Sequence, residues 1–302
     1  DVCSSDLADI RKLFEGQIST VVQDLDGRWG QVQSSFDVLA VRVYKARQPT
    51  EKYDAAMTHL LTTLQKLVKI NFSGISIQPY GSFVTGVHAQ GSDLDVSLQG
   101  LIEPPSPQSE EKDKRSARKR ADDARKKAKV KVLRRMGDVL RRAYMWDVEM
   151  ILSARVPLVK FVDSASRIQC DICVGNDGVF KSAALRHIVS IDPRVAPLYA
   201  LVKAWAKAFG INDPANGTLN SFALTMMVIF HLQNSSPPIL PPLLELLAPD
   251  PTQAKEEAES NMSRKPGPNK DSTVPPVRKV VDSLNDLELC QERCKAFADR
   301  NF

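Results

Sequence analysis

The chain has 302 residues, of which 43% are hydrophobic and 25% charged, with a formal net charge of +5. These ordinary globular values allow one large core or two domains and exclude a low-complexity or disulfide-stapled miniature. No apolar run reaches the length of a membrane span, since His231, Gln233 and nearby prolines interrupt the longest one, so no membrane partner is expected.

In chain order, residues 4–48 read as helices, with Leu7, Ile10, Phe14, Ile18 and Val21 and then Phe36, Leu39, Ala40, Val43 and Tyr44 at spacings of three or four. The first residues, Asp1 to Asp6, resemble neither a signal peptide nor an Arg-rich transit peptide. Pro49-Thr50-Glu51 punctuates the run, and Met57, Leu60, Leu61, Leu64 and Leu67 form the apolar face of the next helix. Ile75-Ser76-Ile77 predicts a first strand ending at Pro79, followed by a Gly81-Ser82 turn, a short helix over 83–89 and a strand over 93–98.

That strand carries Asp93 and Asp95 at i and i+2. On a strand both carboxylates project to one face while Leu94 and Val96 enter the core. Two adjacent carboxylates repel each other and call for a cation, and magnesium takes one or two carboxylates together with substrate phosphates. Gly81 lets the backbone approach a phosphate, and Ser82 and the turn amides can bind it. The local chemistry therefore points to a metal-bound nucleoside triphosphate. The order of apolar residue, Gly-Ser, spacer and Asp-apolar-Asp resembles the nucleotidyltransferase superfamily that includes DNA polymerase β.

After Pro104-Pro105-Ser106-Pro107 comes a segment from 110 to 142 holding 15 Lys and Arg against 6 Asp and Glu, so the rest of the chain is acidic on balance. It predicts a long helix that is either a solvated face or an RNA-contacting one, with Arg118, Lys119 and Arg120 as candidate phosphate ligands. No aromatics interleave with these charges, so base stacking is not expected there. Strands follow just after Trp146, over 156–162 and over 167–174. The last contains Asp171, which is costly in an apolar strand unless paired or metal-bound.

Five cysteines, Cys3, Cys170, Cys173, Cys290 and Cys294, suggest reduced thiols because the number is odd. Cys170 and Cys173 have zinc-like spacing without evident further ligands, and Cys290 and Cys294 read as core thiols on a helix. The chain then turns helical, with Leu198, Leu201, Val202, Trp205 and Phe209 as a core stripe. Lys203 and Lys207, at i and i+4, are either solvated or bridged by an anion.

The run Lys203-Ala204-Trp205-Ala206-Lys207, Gly210-Ile211-Asn212-Asp213, then Gly217-Thr218-Leu219-Asn220-Ser221-Phe222 opening an apolar helix to Gln233 resembles the noncanonical RNA nucleotidyltransferases. These are terminal uridylyltransferases and cytoplasmic-type poly(A) polymerases, and the trypanosomal uridylyltransferases are the nearest in pattern. The resemblance covers roughly residues 75–245. It implies an α/β (α+β) fold, with a polymerase-β-like domain on a small mixed sheet and a mainly helical second domain, the nucleotide lying between them. The expected division is 1–70 for N-terminal helices, 71–180 for the catalytic domain with its basic insertion at 110–142, and 181–302 for the nucleotide-binding helices. A Pro-, Lys-, Glu- and Ser-rich stretch at 249–279 reads as a flexible loop.

By the same resemblance Asp93, Asp95 and Asp171 are catalytic and hold two magnesium or manganese ions. Gly81, Ser82, Lys203, Lys207 and Ser221 would serve the phosphates, Ser221 as a helix N-terminal hydroxyl, Ser182 the ribose, and Phe222 the base. Phe222 stands where the family usually has tyrosine, and Lys181-Ser182 where it has Asn-Ser or Asn-Thr. The family's acidic base-recognition element is not found before residue 302, so either the C-terminus is incomplete or that element is absent, and nucleotide choice is left open. The resemblance implies addition of UMP from UTP to an RNA 3′ end, with poly(A) polymerase and an inactive RNA-binding subunit as alternatives. It also implies an RNA-processing or RNA-editing complex and a mitochondrial, otherwise intracellular, location.

Overall fold

The computed structural model describes residue 12 and residues 29–100, 114–154, 156–175, 178–248 and 284–301. The expected helices before residue 29 and the loops at 101–113 and 249–283 lie outside the described residues. Two compact units emerge, one made of residues 49–84 and 90–182, the other of 1–48, 85–89 and 183–302.

The first unit is built on a five-stranded sheet in the order β1-β2-β5-β4-β3. Its strands are β1 (Ser76–Tyr80), β2 (Leu94–Gln99), β3 (Trp146–Ile151), β4 (Leu158–Val162) and β5 (Gln169–Val174). β2 and β5 run parallel and the other neighbours antiparallel, so the sheet is mixed, as expected. Leu94, Val96, Leu98, Val159, Phe161, Cys170 and Ile172 alternate onto one buried face. Two helices cover it, α2 (Glu51–Asn71) with Met57, Leu60, Leu64 and Val68, and α4 (Lys114–Arg142) with Leu133, Met136, Val139 and Leu140. Thr50 caps α2, its hydroxyl accepting from the Tyr53 amide at 3.2 Å. The strand alternation puts Asp95, Ser97, Glu149, Lys160 and Asp171 on the opposite face, together with Ile151, Leu158, Val162 and Cys173.

Several boundaries differ from the sequence expectation. The helix expected over 83–89 is α3 (Gly81–Thr85), entered directly from β1, because Gly81 turns the chain at φ +71°. β2 begins at Leu94, so Asp93 lies just before the strand. β4 starts after Pro157, which has no amide to donate to a ladder, and Pro79 is tolerated because β1 is an edge strand. β5 starts at Gln169 rather than Arg167, which sits at φ +64° in the β4–β5 turn. There the Asp163 carboxylate accepts from the Ser166 amide at 2.9 Å and hydroxyl at 2.5 Å.

The second unit contains α1 (Trp29–Arg47), α5 (Gly178–Val189), of which residues 178–182 belong to the first unit, α6 (Val195–Ala208), α7 (Ser221–Gln233), α8 (Leu243–Leu247) and α9 (Leu284–Asn301). α6 does not bury the expected stripe. Its buried residues are Val195, Tyr199, Leu201, Ala204 and Ala206, while Phe209 is exposed and Leu198, Val202 and Trp205 are half-buried. Small alanines are the closest-packed positions because α6 is gripped from two sides, by Leu39 and Val43 of α1 and by α7. Among the described residues no helix is long and apolar enough to cross a membrane.

Candidate active site

One row of side chains crosses the polar face of the sheet. Tyr80 pairs with Asp95, Asp95 with Asp171, Asp171 with Lys160 and Lys160 with Glu149, one residue from each strand. Directly opposed residues share a face, so the register sets Asp95 and Asp171 side by side although 76 positions separate them in the chain. The Lys160 ammonium lies 3.1 Å from Asp171 Oδ2. Burial works to lower the Lys160 pKa, but the hydrogen bond to Asp171 and the charges of Asp171, Asp93 and Asp95 outweigh it and hold the pKa above its ordinary value. All three expected carboxylates thus act on one lysine.

Asp93 sits beside Tyr53. The Tyr53 hydroxyl donates to the Ser92 carbonyl at 2.7 Å, and its pKa is raised first by burial and then by the charge of Asp93. Gly81 packs under Asp95, where a Cβ would stand 2.2 Å from Asp95 Oδ2. The Gly81 amide donates to Ser182 Oγ at 2.8 Å. Ser182 is buried and holds the turn that carries Gly81 and Ser82.

The donor set suits a hard divalent ion, being carboxylate oxygen throughout, and the Lys160 ammonium already stands 3.1 Å from one of these oxygens. Among the described residues no three His, Cys, Asp or Glu side chains close around a single point. The Cys170–Cys173 pair is not a zinc half-site. Three residues apart on a strand, the two thiols face opposite sides, and both are buried. Burial, then the neighbouring aspartates, raises the Cys170 pKa well above the ordinary thiol value. Cys290 and Cys294 are buried free thiols on α9, as expected.

In the second unit, Lys203, Lys207 and Ser221 gather around a residue that sequence reasoning passed over, Tyr199. The Lys203 ammonium is 5.6 Å from the Tyr199 ring centroid. Burial raises the Tyr199 hydroxyl pKa, opposed by a hydrogen bond with Thr225, the charge of Lys207 and a hydrogen bond with Ser221. The signal in the sequence was the i, i+4, i+8 spacing of Tyr199, Lys203 and Lys207. Ser221 is the first helical residue rather than the cap. Asn220 caps α7, accepting from the Ala223 amide at 2.8 Å, and Ser221 Oγ donates to Asn212 Oδ1 at 3.3 Å. Phe222, 50% exposed, stands next to it.

On α4 the charges divide by role. Arg135 donates to the Asn71 carbonyl and covers the Phe72 ring at 4.9 Å, Lys129 reaches the Gly175 carbonyl at 3.3 Å, and Arg141 pairs with Asp138 at 3.3 Å. Lys126, Lys127, Lys131 and Arg134, with Asp123 and Val130, line a groove of about 650 Å³. Arg120 is exposed, while the side chains of Arg118 and Lys119 lie outside the described residues.

Residues 37–190 match the family described as poly(A) RNA polymerase, mitochondrial-like, central palm domain. Protein HESO1 of Arabidopsis thaliana is 40% identical over 172 residues, 56% of this chain and 31% of that protein. Terminal uridylyltransferase 7 of Homo sapiens is 29% identical over 214 residues, covering 70% of this chain and 13% of the relative. The mitochondrial poly(A) RNA polymerase of Mus musculus is 33% identical over 215 residues, 66% of this chain and 35% of the relative. The chain therefore spans about a third or less of these curated relatives. Among solved structures, mtPAP in complex with UTP superposes with a TM-score of 0.59 at 26% identity, covering 78% of this chain and 52% of that one. The Cid1 poly(U) polymerase gives 0.56 at 23% identity, covering 72% and 60%, a likeness of fold.

Proposed function

This chain belongs to the mitochondrial-like poly(A) RNA polymerase palm family, within the polymerase-β nucleotidyltransferase superfamily, and we propose that it is the catalytic part of a template-independent terminal nucleotidyltransferase. The RNA 3′-hydroxyl attacks the α-phosphate of a nucleoside triphosphate, forming a phosphodiester and releasing pyrophosphate. The observation that carries this is the register of Asp95 against Asp171 on adjacent parallel strands, beside the Gly81-Ser82 turn.

Asp93, Asp95 and Asp171 would hold two magnesium or manganese ions, which when bound supply charge stabilisation and an activated 3′-oxygen. Gly81 brings backbone close to the phosphates and Ser82 donates to them. Lys203 and Lys207, braced by Tyr199, neutralise the triphosphate, with Ser221 as a further donor. Phe222 stacks on the base. Ser182 secures Gly81 and thereby the turn, a role nearer to positioning than to ribose contact. The groove of α4 binds the RNA backbone, with Arg118, Lys119 and Arg120 of the same helix as further phosphate ligands.

We favour UTP as donor, supported by the similarity to terminal uridylyltransferase 7. The second reading is ATP, favoured by the family match and by the mouse mitochondrial poly(A) polymerase, which also supports a mitochondrial location and a place in RNA processing. The test is extension of a short RNA with magnesium and each of the four nucleotides in turn. Extension by the wild type and none by a folded Asp95→Ala variant is expected. Near-normal extension by Asp95→Ala would overturn the carboxylate mechanism, and a wild type inert with every nucleotide would favour a non-catalytic RNA-binding subunit.

A further inference from the structure

Lys160 has no part in the reaction as described above, yet it stands at the third carboxylate. β4 holds it firmly, because the residues on either side, Val159 and Phe161, are buried in the core behind the sheet. Its register partner is Asp171, whose own partner on the far side is Asp95. Like charges directly opposed across neighbouring strands destabilise a sheet. Here the third member of the row is an ammonium, 3.1 Å from Asp171 Oδ2, so the repulsion is offset from within the chain. The pair is only partly screened, since the Lys160 side chain is 45% exposed and that of Asp171 18%.

We propose that Lys160 is a resident counter-cation, holding Asp171 in line while no divalent ion is bound and competing with such an ion for that carboxylate. This rests on the metal-site reading of Asp93, Asp95 and Asp171. Two cations that share one carboxylate repel each other, so the lysine weakens the site for a divalent ion. It also keeps the row from flying apart when no ion is present. Lys160 is therefore a positioning residue, acting on substrate only through Asp171.

The test is a manganese titration of the full chain without nucleotide or RNA, following free Mn2+ by electron paramagnetic resonance, together with thermal melts in EDTA. Wild type, Lys160→Met, Lys160→Arg and Asp95→Ala are compared. Lys160→Met should bind Mn2+ about three- to tenfold more tightly than wild type, the range expected for removing one partly exposed charge. It should melt at a lower temperature than wild type in EDTA and recover with Mn2+. Lys160→Arg, which keeps the charge, should stay near wild type in both measurements. Lys160→Gln carries the same expectation as Lys160→Met should the latter not fold. Binding that Asp95→Ala abolishes but Lys160→Met leaves unchanged or weakens would overturn the counter-cation role while the metal site stands. No saturable Mn2+ binding by the wild type would overturn both.

Discussion

At the scale of single residues two positions fix local geometry, one under a site carboxylate and one at the entry to α6. Gly81 is at φ +71°, and a Cβ there would collide with Asp95 Oδ2. Gly81→Ala should cost about 1–2 kcal/mol from the left-handed backbone alone. It should also lower extension activity well beyond what that stability loss explains, because the carboxylate must be pushed aside; denaturant melts and RNA extension on the same sample check this. An active variant with only the stability loss would mean that Asp95 is not held by this contact. Asp192 is the second position. Its buried carboxylate accepts from the Arg194 amide, Nε and Nη2 at 2.8, 2.9 and 2.6 Å, fixing the entry to α6. The Arg194 hydrogen bond lowers its pKa, so this stabilisation is present above the ordinary carboxylate range and is lost as pH falls through the lowered value. Asp192→Asn should cost about 1–3 kcal/mol near neutrality, and the gap from wild type should close in urea melts taken at progressively acid pH.

At the scale of elements, α4 joins two functions in one helix. Leu133, Met136, Val139 and Leu140 close the sheet's core, and Arg135, Lys129 and Arg141 are tied to backbone or to Asp138. The groove cations Lys126, Lys127 and Lys131 are exposed. Replacing them with Gln, or replacing Arg118, Lys119 and Arg120, should weaken RNA binding and flatten its salt dependence. The log–log slope should fall by roughly 0.7 for each single-strand phosphate that is no longer neutralised. Unchanged affinity and slope in both triple variants would return α4 to a solvated helix whose only work is packing. The number of charges in the sequence could not make this division, because it follows from which face of the helix meets the sheet. α6 teaches the same point from the apolar side. Its most hydrophobic residues are not its most buried ones, since two neighbouring helices select the small side chains for close approach.

At the scale of the molecule, each compact unit carries one half of the proposed chemistry, carboxylates in one and lysines, Ser221 and Phe222 in the other. Base choice is the property furthest from any single residue. Stacking on Phe222 tolerates every base and is worth about 1–3 kcal/mol. Phe222→Ala should therefore weaken UTP and ATP by similar factors in a competition of ATP, CTP and GTP against UTP. A large loss confined to UTP would show that Phe222 reads the base. The sequence by itself determined the alternation that makes β2 and β5, the glycine at the turn, the amphipathic α2 and the aspartates, because these are local matters of period, backbone freedom and charge. Their spacing and order were also enough to reveal the family. Only the tertiary structure decided which strands are neighbours and in what register. That choice put Asp171 between Asp95 and Lys160. Cross-strand pairing joins residues far apart in the chain through packing of the buried face, and no local pattern encodes it.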